Sequence, residues 1–264
     1  MAEARTLVVV PTLGDRIDTL RKTLESVVAQ RDDHPLTLVV VAPPRATEGR
    51  ALAAEYGAVI VDDPKQGISA AVNVGVSAAT TERYLAWAGD DDLFRPGGLS
   101  ALASALDADP KATASFGRCD YIDDKDRVIG VSRAGALAPR ILGWGPDLIP
   151  QPAAMLRLSS LAEVGGYDQS LRFAMDLDVF LKLRRRGPLV SVPMTTAAFR
   201  WHPDSLTVSD RSGSTQEAQR VRHRYLPSAV RPLAPLWDAP IAVAASVAAG
   251  QVSRSARKLA RTAG

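Results

Sequence analysis

The first part of the chain alternates short, unbroken apolar runs with longer stretches of helical periodicity. Thr6–Val10, Leu36–Val41, Val59–Val61 and Tyr84–Trp87 are runs of three to six residues with almost no polar interruption. Such runs fit strands covered on both faces, the form that parallel strands take. Between them, Ile17 to Gln30 places Leu20, Leu24, Val27 and Val28 on one helical face, with Asp18 as a candidate N-cap. Arg45 to Tyr56 is a second helix, stopped by Gly57, and Ser69 to Ala79 a third. This strand–helix rhythm predicts βαβ units and an α/β fold with a mainly parallel central sheet. Pro96 and Gly98 open a further helix through Leu106.

Beyond residue 113 the pattern changes. Ala114–Arg118 and Tyr121–Ile122 read as strands before a turn at Asp123–Asp126, and Ala153–Arg157 as another. Ser159–Val164 is a short helix closed by Gly165-Gly166, and Asp176–Arg186 a strong helix with Val179, Phe180 and Leu183 on its inner side. Leu189–Val192 and Thr196–Trp201 are the last expected strands. A helical stretch from Ser214 to Tyr225, a proline-spaced segment (Pro227, Pro232, Pro235, Pro240) and an alanine-rich final helix follow. These shifts divide the chain into residues 1–212, with a first half to 115 and a second from 116, and a helical tail, 213–264.

Composition sharpens this division. The net charge of +3 conceals an asymmetry, because residues 213–264 carry eight Lys/Arg against only Glu217 and Asp238. The body is therefore mildly acidic, which excludes a nucleic-acid-binding domain and confines the basic character to the tail. One cysteine, Cys119, rules out an internal disulfide and a cysteine-based zinc cluster. The apolar run near the N-terminus is too short for a secretory signal, and no stretch reaches transmembrane length, so a cytoplasmic location is expected.

Candidate chemistry gathers where strands end. Gly89-Asp90-Asp91-Asp92 follows the Tyr84–Trp87 run directly. Ligands of open α/β sheets bind outside the carboxyl ends of strands. Adjacent carboxylates repel one another unless a cation sits among them, and oxygen-only ligands suit Mn²⁺ or Mg²⁺; otherwise the segment is a solvated acidic turn. Gly67 precedes a helix start, an arrangement that admits a phosphate. Asp176 and Asp178 open the Asp176–Arg186 helix, as caps or as a general base. His202 follows the last strand, as a structural residue or as a metal ligand.

In combination, these segments resemble the family 2 glycosyltransferases, inverting enzymes of the GT-A fold. The resemblance covers roughly residues 5–210 and rests on five segments. These are Val10-Pro11-Thr12-Leu13-Gly14-Asp15-Arg16 with its following helix; Gly67-Ile68 with Ala71-Val72-Asn73-Val74-Gly75; Leu85 to Asp92 with Pro96; Gly165-Gly166-Tyr167-Asp168 followed by Ala174 to Leu183; and Arg200-Trp201-His202-Pro203. It implies a single Rossmann-like catalytic domain whose halves take the nucleotide sugar and the acceptor. It implies transfer of a sugar from a nucleotide-diphosphate donor, UDP or dTDP favoured, to an acceptor hydroxyl on a carbohydrate or lipid-linked molecule.

Carried over by position, Asp91, Asp92 and His202 are the metal ligands. Asp176, or alternatively Asp178, is the general base. Pro11, Thr12, Leu13, Asp62, Asp63, Gly67, Asn73 and Asp90 bind the donor. Two positions depart from the family pattern. Val41-Ala42-Pro43-Pro44 lacks the base-reading carboxylate, which leaves Asp62, Asp63 or backbone near Thr12 and Leu13 for that task. Gly89 stands where the first acid of the motif is usual.

A sugar nucleotidyltransferase is the rival enzyme, disfavoured because Pro11-Thr12-Leu13-Gly14 is not a glycine-rich phosphate loop. A catalytically inactive relative that binds nucleotide or carbohydrate is the rival without chemistry, disfavoured by the retained Asp91, Asp176 and His202. In the tail, helical periodicity aligns Ile241, Ala245, Ala248, Val252, Ala256 and Leu259, with Arg254, Arg257, Lys258 and Arg261 opposite. That basic amphipathic pattern fits peripheral contact with an anionic membrane at its inner face, or packing on the domain.

Overall fold

The computed structural model describes residues 5–132, 135–201, 210–238 and 240. The first half is built as the hydrophobic pattern predicts. It runs β1 (Thr6–Pro11), α1 (Ile17–Val28), β2 (Leu36–Ala42), α2 (Thr47–Glu55), β3 (Val59–Asp62), α3 (Ile68–Val76) and β4 (Tyr84–Trp87). β1 pairs in parallel with both β2 and β4, and β2 with β3.

β1, β2 and β4 read as continuous apolar runs because both faces are covered, whereas β3 is the edge strand and stays partly exposed. Leu7 and Val9 of β1 join the core cluster that includes α3 residues, while Val8 and Val10 join the cluster with α1 and α2 residues. Leu7 to Val10 are all fully buried. Gly75 lets α3 lie close on the sheet, since a Cβ there would come within 2.5 Å of a Val9 methyl.

The second half comprises β5 (Leu93–Phe94), α4 (Gly98–Ala108), β6 (Ala114–Ile122), β7 (Val128–Ser132), α5 (Ala138–Ile141), β8 (Ala154–Arg157), α6 (Leu158–Glu163), α7 (Met175–Arg184), β9 (Leu189–Arg200) and α8 (Arg211–Tyr225). The described residues form one nine-stranded sheet in the order β3-β2-β1-β4-β8-β6-β9-β5, with β7 beside the far end of β6. β8 pairs antiparallel to β4 and β6, and β9 runs parallel to β6.

Two expected interruptions are absent. β6 is continuous through Cys119-Asp120, and β9 is continuous through Pro193-Met194-Thr195, with the register between them shifting around Arg118. β5, β7 and α5 are additional to the sequence reading.

The expected boundary at residue 212 falls at the start of α8, and that helix packs into the body. Val221 is fully buried in the same cluster as α7 residues Val179, Phe180 and Leu183. The alanine-rich final helix lies outside the described residues. Among the described residues, no helix is long and apolar enough to cross a membrane.

Candidate active site

Parallel pairing puts the carboxyl ends of β1, β2, β3 and β4 on one edge of the sheet. Three loops leave from that edge: 12–16, 63–67 and 88–92. They surround a cleft of about 1060 Å³, lined among others by Pro11, Thr12, Leu13, Asp63, Gly67, Asp90 and Asp91. The backbone N–H of Thr12 continues the β1–β2 ladder by donating to the Val41 carbonyl at 2.9 Å. Gly67 has φ +96°, and a side chain there would meet nothing within 4 Å, so the entry to α3 is bare backbone open to the cleft.

The acidic turn divides its three carboxylates between two environments. Asp90 is buried and accepts from the Thr12 hydroxyl and from Arg16. Burial raises its pKa, against the lowering by Thr12 and Arg16. Asp91 borders the cleft and accepts from Arg16 Nη1 at 2.5 Å, so one guanidinium bridges both carboxylates. Asp92 turns the other way. Its Oδ1 accepts the Arg200 N–H at 3.0 Å and its Oδ2 the Gly89 N–H at 3.3 Å, and it is buried off the cleft wall. Burial, then repulsion from Asp91, pushes its pKa well up.

Gly89 accommodates this folding back, because a Cβ there would lie 3.0 Å from Asp91 Oδ1 and 3.3 Å from Asp92 Oδ2. Arg200 clamps the turn from β9, donating through Nε to the Asp91 carbonyl at 3.0 Å and through Nη1 to the Asp123 carbonyl at 2.6 Å. Asp92, expected as a metal ligand, here holds backbone N–H groups with both oxygens. His202 lies outside the described residues. Among those described, no cluster of three or more His, Cys, Asp or Glu side chains is arranged to hold a metal unaided.

Two residues expected to bind the donor make contacts within the chain. Asp62 pairs with Arg50 Nη1 at 2.7 Å and is not on the cleft wall, whereas its neighbour Asp63 is. Asn73 spends its amide on the backbone of Tyr167. Its Nδ2 donates to the carbonyl at 2.8 Å and its Oδ1 accepts the N–H at 3.0 Å, so it ties α3 to the segment before α7. Arg45, Lys65 and Asp124 line the cleft unforeseen. The first two flank strand ends, the one signal in the sequence that singles them out.

The two acids of α7 face different partners, as their i, i+2 spacing requires. Asp178 is buried, accepts from the Tyr225 hydroxyl of α8 at 2.7 Å and pairs with Lys182 at 2.7 Å. Asp176 is half-buried, and its Oδ1 is enclosed without a hydrogen-bond partner. Burial, then the charge of Asp147, holds its pKa well above the ordinary carboxylate range.

Asp176 is not among the residues lining the cleft. It acts electrostatically on Tyr167. The Tyr167 hydroxyl accepts from Trp87 Nε1 at 2.8 Å, and Trp87 ends β4 just before the acidic turn. The entry to α7 is fixed by Glu217 of α8, a residue the sequence did not single out. Its carboxylate accepts the backbone N–H groups of Arg172, Phe173 and Ala174 at 3.0, 2.6 and 2.8 Å. Cys119 is fully buried, and burial pushes its thiol pKa far up, which leaves it no role as a nucleophile.

The sequence profile described as "Glycosyl transferase family 2" matches residues 7–165. Among solved structures, that of S. aureus TarS 1-349 in complex with UDP-GlcNAc gives a TM-score of 0.65 at 14% identity, covering 86% of this chain and 69% of that one. The mannosyltransferase PcManGT from Pyrobaculum calidifontis, in complex with GDP-Man and Mn²⁺, gives 0.64 at 18% identity, covering 99% of this chain and 80% of that one. A longer S. aureus TarS chain gives 0.60 at 15% identity, and the present chain spans 41% of its length. The shared architecture is the GT-A type of α/β fold. No curated protein sequence matches the chain.

Proposed function

The chain belongs to glycosyl transferase family 2, and from that premise we propose an inverting, cation-assisted transfer from a nucleoside diphosphate sugar to an acceptor hydroxyl. The observation that supports this reading best is the division of labour among the carboxylates. Asp91 borders a cleft at the carboxyl ends of β1, β2 and β4, while Asp176 keeps an enclosed oxygen without a partner on the acceptor side. The donor half is residues 1–115 and the acceptor half 116–212, with α8 added as a brace.

The donor's nucleoside would lie against Pro11, Thr12, Leu13 and Asp63, and its diphosphate would face the Gly67 entry to α3, where backbone N–H groups favour an anion. Arg45 and Lys65 add positive charge to the same wall. An oxygen-ligated divalent ion suits the donor set, because Asp91 already shares a cation, Arg16, with Asp90. Asp91 would hold Mn²⁺ or Mg²⁺, with His202 as its expected partner. When bound, such an ion stabilises the charge that develops on the departing diphosphate.

Asp176 takes the proton of the acceptor hydroxyl as that oxygen attacks the anomeric carbon and the bond to the diphosphate breaks. Its raised pKa suits this step, since a stronger base accepts the proton more readily, and general-base catalysis contributes typically ~10²–10⁴ in rate. No enzyme-bound intermediate is required. The test is release of free nucleoside diphosphate from a panel of UDP-, dTDP- and GDP-sugars, with and without Mn²⁺ or Mg²⁺. Diphosphate release that needs the ion supports the reading. Conversion of the nucleotide sugar to nucleoside triphosphate and sugar 1-phosphate when pyrophosphate is added would make the chain a nucleotidyltransferase, and release of nothing under either condition an inactive binder.

A further inference from the structure

The donor cleft and the acceptor-side carboxylate leave one large surface feature without a task. α5 and the loop after it expose Leu137, Ile141 and Trp144, and the segment after α8 exposes Leu233 and Leu236. Leu137 and Leu236 are 65% and 75% exposed, values that no packing inside the chain accounts for. The two groups form one surface: the Trp144 and Trp237 rings meet with centroids 5.6 Å apart. A hollow of about 330 Å³ beside Trp144 continues the surface to Arg184, Arg185, Leu226 and Pro227. Exposed apolar area of this kind marks an interaction site rather than ordinary surface.

The rim is mainly cationic, although the loop after α5 also carries the exposed acid Asp147. Arg140, Arg184 and Arg231 are all exposed, and among the described residues none is in an ion pair. Arg231 donates to the Leu226 carbonyl at 3.4 Å. The described chain ends at Pro240, next to this surface, and residues 241–264 carry Arg254, Arg257, Lys258 and Arg261 and no acid.

We propose that this face, built by α5, the C-terminal end of α7 and residues 231–238, docks the protein on an anionic phospholipid bilayer. Leucine and tryptophan side chains enter the interface there, and arginines meet the lipid phosphates. Tryptophan favours the headgroup level, where one edge is apolar and the other wet. A second protein would have to bring its own acidic surface, whereas an anionic bilayer meets the apolar centre and the cationic rim together. The face lies at the far end of α7 from Asp176, about 12 Å at 1.5 Å per residue. Docking would thus leave the acceptor side within reach of the lipid headgroups. The lipid contact stands independently of the transfer chemistry.

The test is cosedimentation of the full chain with vesicles of phosphatidylcholine, alone or mixed with phosphatidylglycerol, at low and high salt. The expected result is pelleting with the anionic vesicles at low salt and not with the neutral ones. Each basic residue near an anionic surface contributes about 1 kcal/mol, so Arg184→Gln with Arg231→Gln should weaken binding roughly thirty-fold. Leu233→Ser with Leu236→Ser should weaken it roughly ten-fold or more. All four residues are exposed, so both variants should fold.

Equal binding to neutral vesicles, or wild-type binding by both variants, overturns the proposal. So does a dimer that Leu233→Ser with Leu236→Ser dissociates while no vesicle pelleting occurs, since the face would then join two copies. Nucleoside diphosphate release is not read in this assay, so its failure leaves the transfer reading intact.

Discussion

Replacing Glu217 by alanine should uncouple the acceptor-side helix from the rest of the enzyme. Glu217 is 7% exposed and sits on α8, yet its carboxylate accepts three successive backbone N–H groups at the entry to α7. N–H groups at a helix start have no intrahelical partner, so their acceptor must come from elsewhere. Arg172 is exposed and can turn to water, but Phe173 and Ala174 are more enclosed. Two hydrogen bonds to a charged group at ~1.5–3 kcal/mol each give a loss of about 3–6 kcal/mol. Both of these bonds go to Oε1, so Glu217→Gln keeps their acceptor but not its charge, and since charge-assisted bonds are roughly twice as strong as neutral ones it should lose about half of that.

The kinetic consequence follows from proximity, because Asp176 is two residues beyond Ala174. A displacement near 1 Å at a reacting group can cost ~10² in rate. We expect kcat to fall by about that factor in Glu217→Ala, with the donor KM little changed, because the donor cleft is built by the loops after β1, β3 and β4. Urea unfolding and initial rates of nucleoside diphosphate release measure the two effects. A stability change below ~1 kcal/mol, or an unchanged kcat in a destabilised variant, would refute the bracing role.

Asp91→Ala should abolish transfer and remove the ion dependence of donor binding, which calorimetry with the nucleotide sugar checks; normal affinity at saturating Mn²⁺ contradicts the assignment. Asp176→Asn should bind donor but not turn over. Asp178→Asn, losing its pair with Lys182, should cost ~1–3 kcal/mol of stability and keep turnover; the opposite pattern would exchange their roles. Because the Asp176 pKa is raised, above all by burial, activity should fall with decreasing pH through a range above that of ordinary carboxylates. The cost of ionising this group is present above its folded pKa and is relieved as pH falls through it. Asp176→Asn should therefore be more stable than wild type at neutral pH, with the difference closing in acid; a pH-independent difference would deny the burial. Gly75→Ala, driven against Val9 and Val41, should destabilise by ~1–3 kcal/mol without altering the acidic turn.

The parallel half of the fold was legible because burial on both faces leaves a simple mark, as in Leu7 to Val10. β5 was not, since two residues make no pattern, and β7 was not, because Val128 and Val131 are exposed and Gly130 interrupts them. Cys119-Asp120 and Pro193 read as breaks, yet β6 and β9 pass through them with a shifted register that only their pairing determines. The position of the acidic turn was legible; the opposite orientations of Asp91 and Asp92 were not, because they depend on Gly89, Arg16 and Arg200. Asn73 and Glu217 act on backbone 94 and up to 45 residues away, distances at which no sequence pattern registers.

The configuration of the first-formed product tests the central claim most directly. A nucleotide α-linked sugar is given to the enzyme with an alcohol or water as acceptor, and the anomeric proton is followed by NMR before mutarotation. The account predicts a β product, formed in the presence of Mn²⁺ or Mg²⁺ and absent with Asp176→Asn. An α product as the first species would mean retention, and with it a nucleophile or a mechanism that Asp91 and Asp176 as described here do not supply.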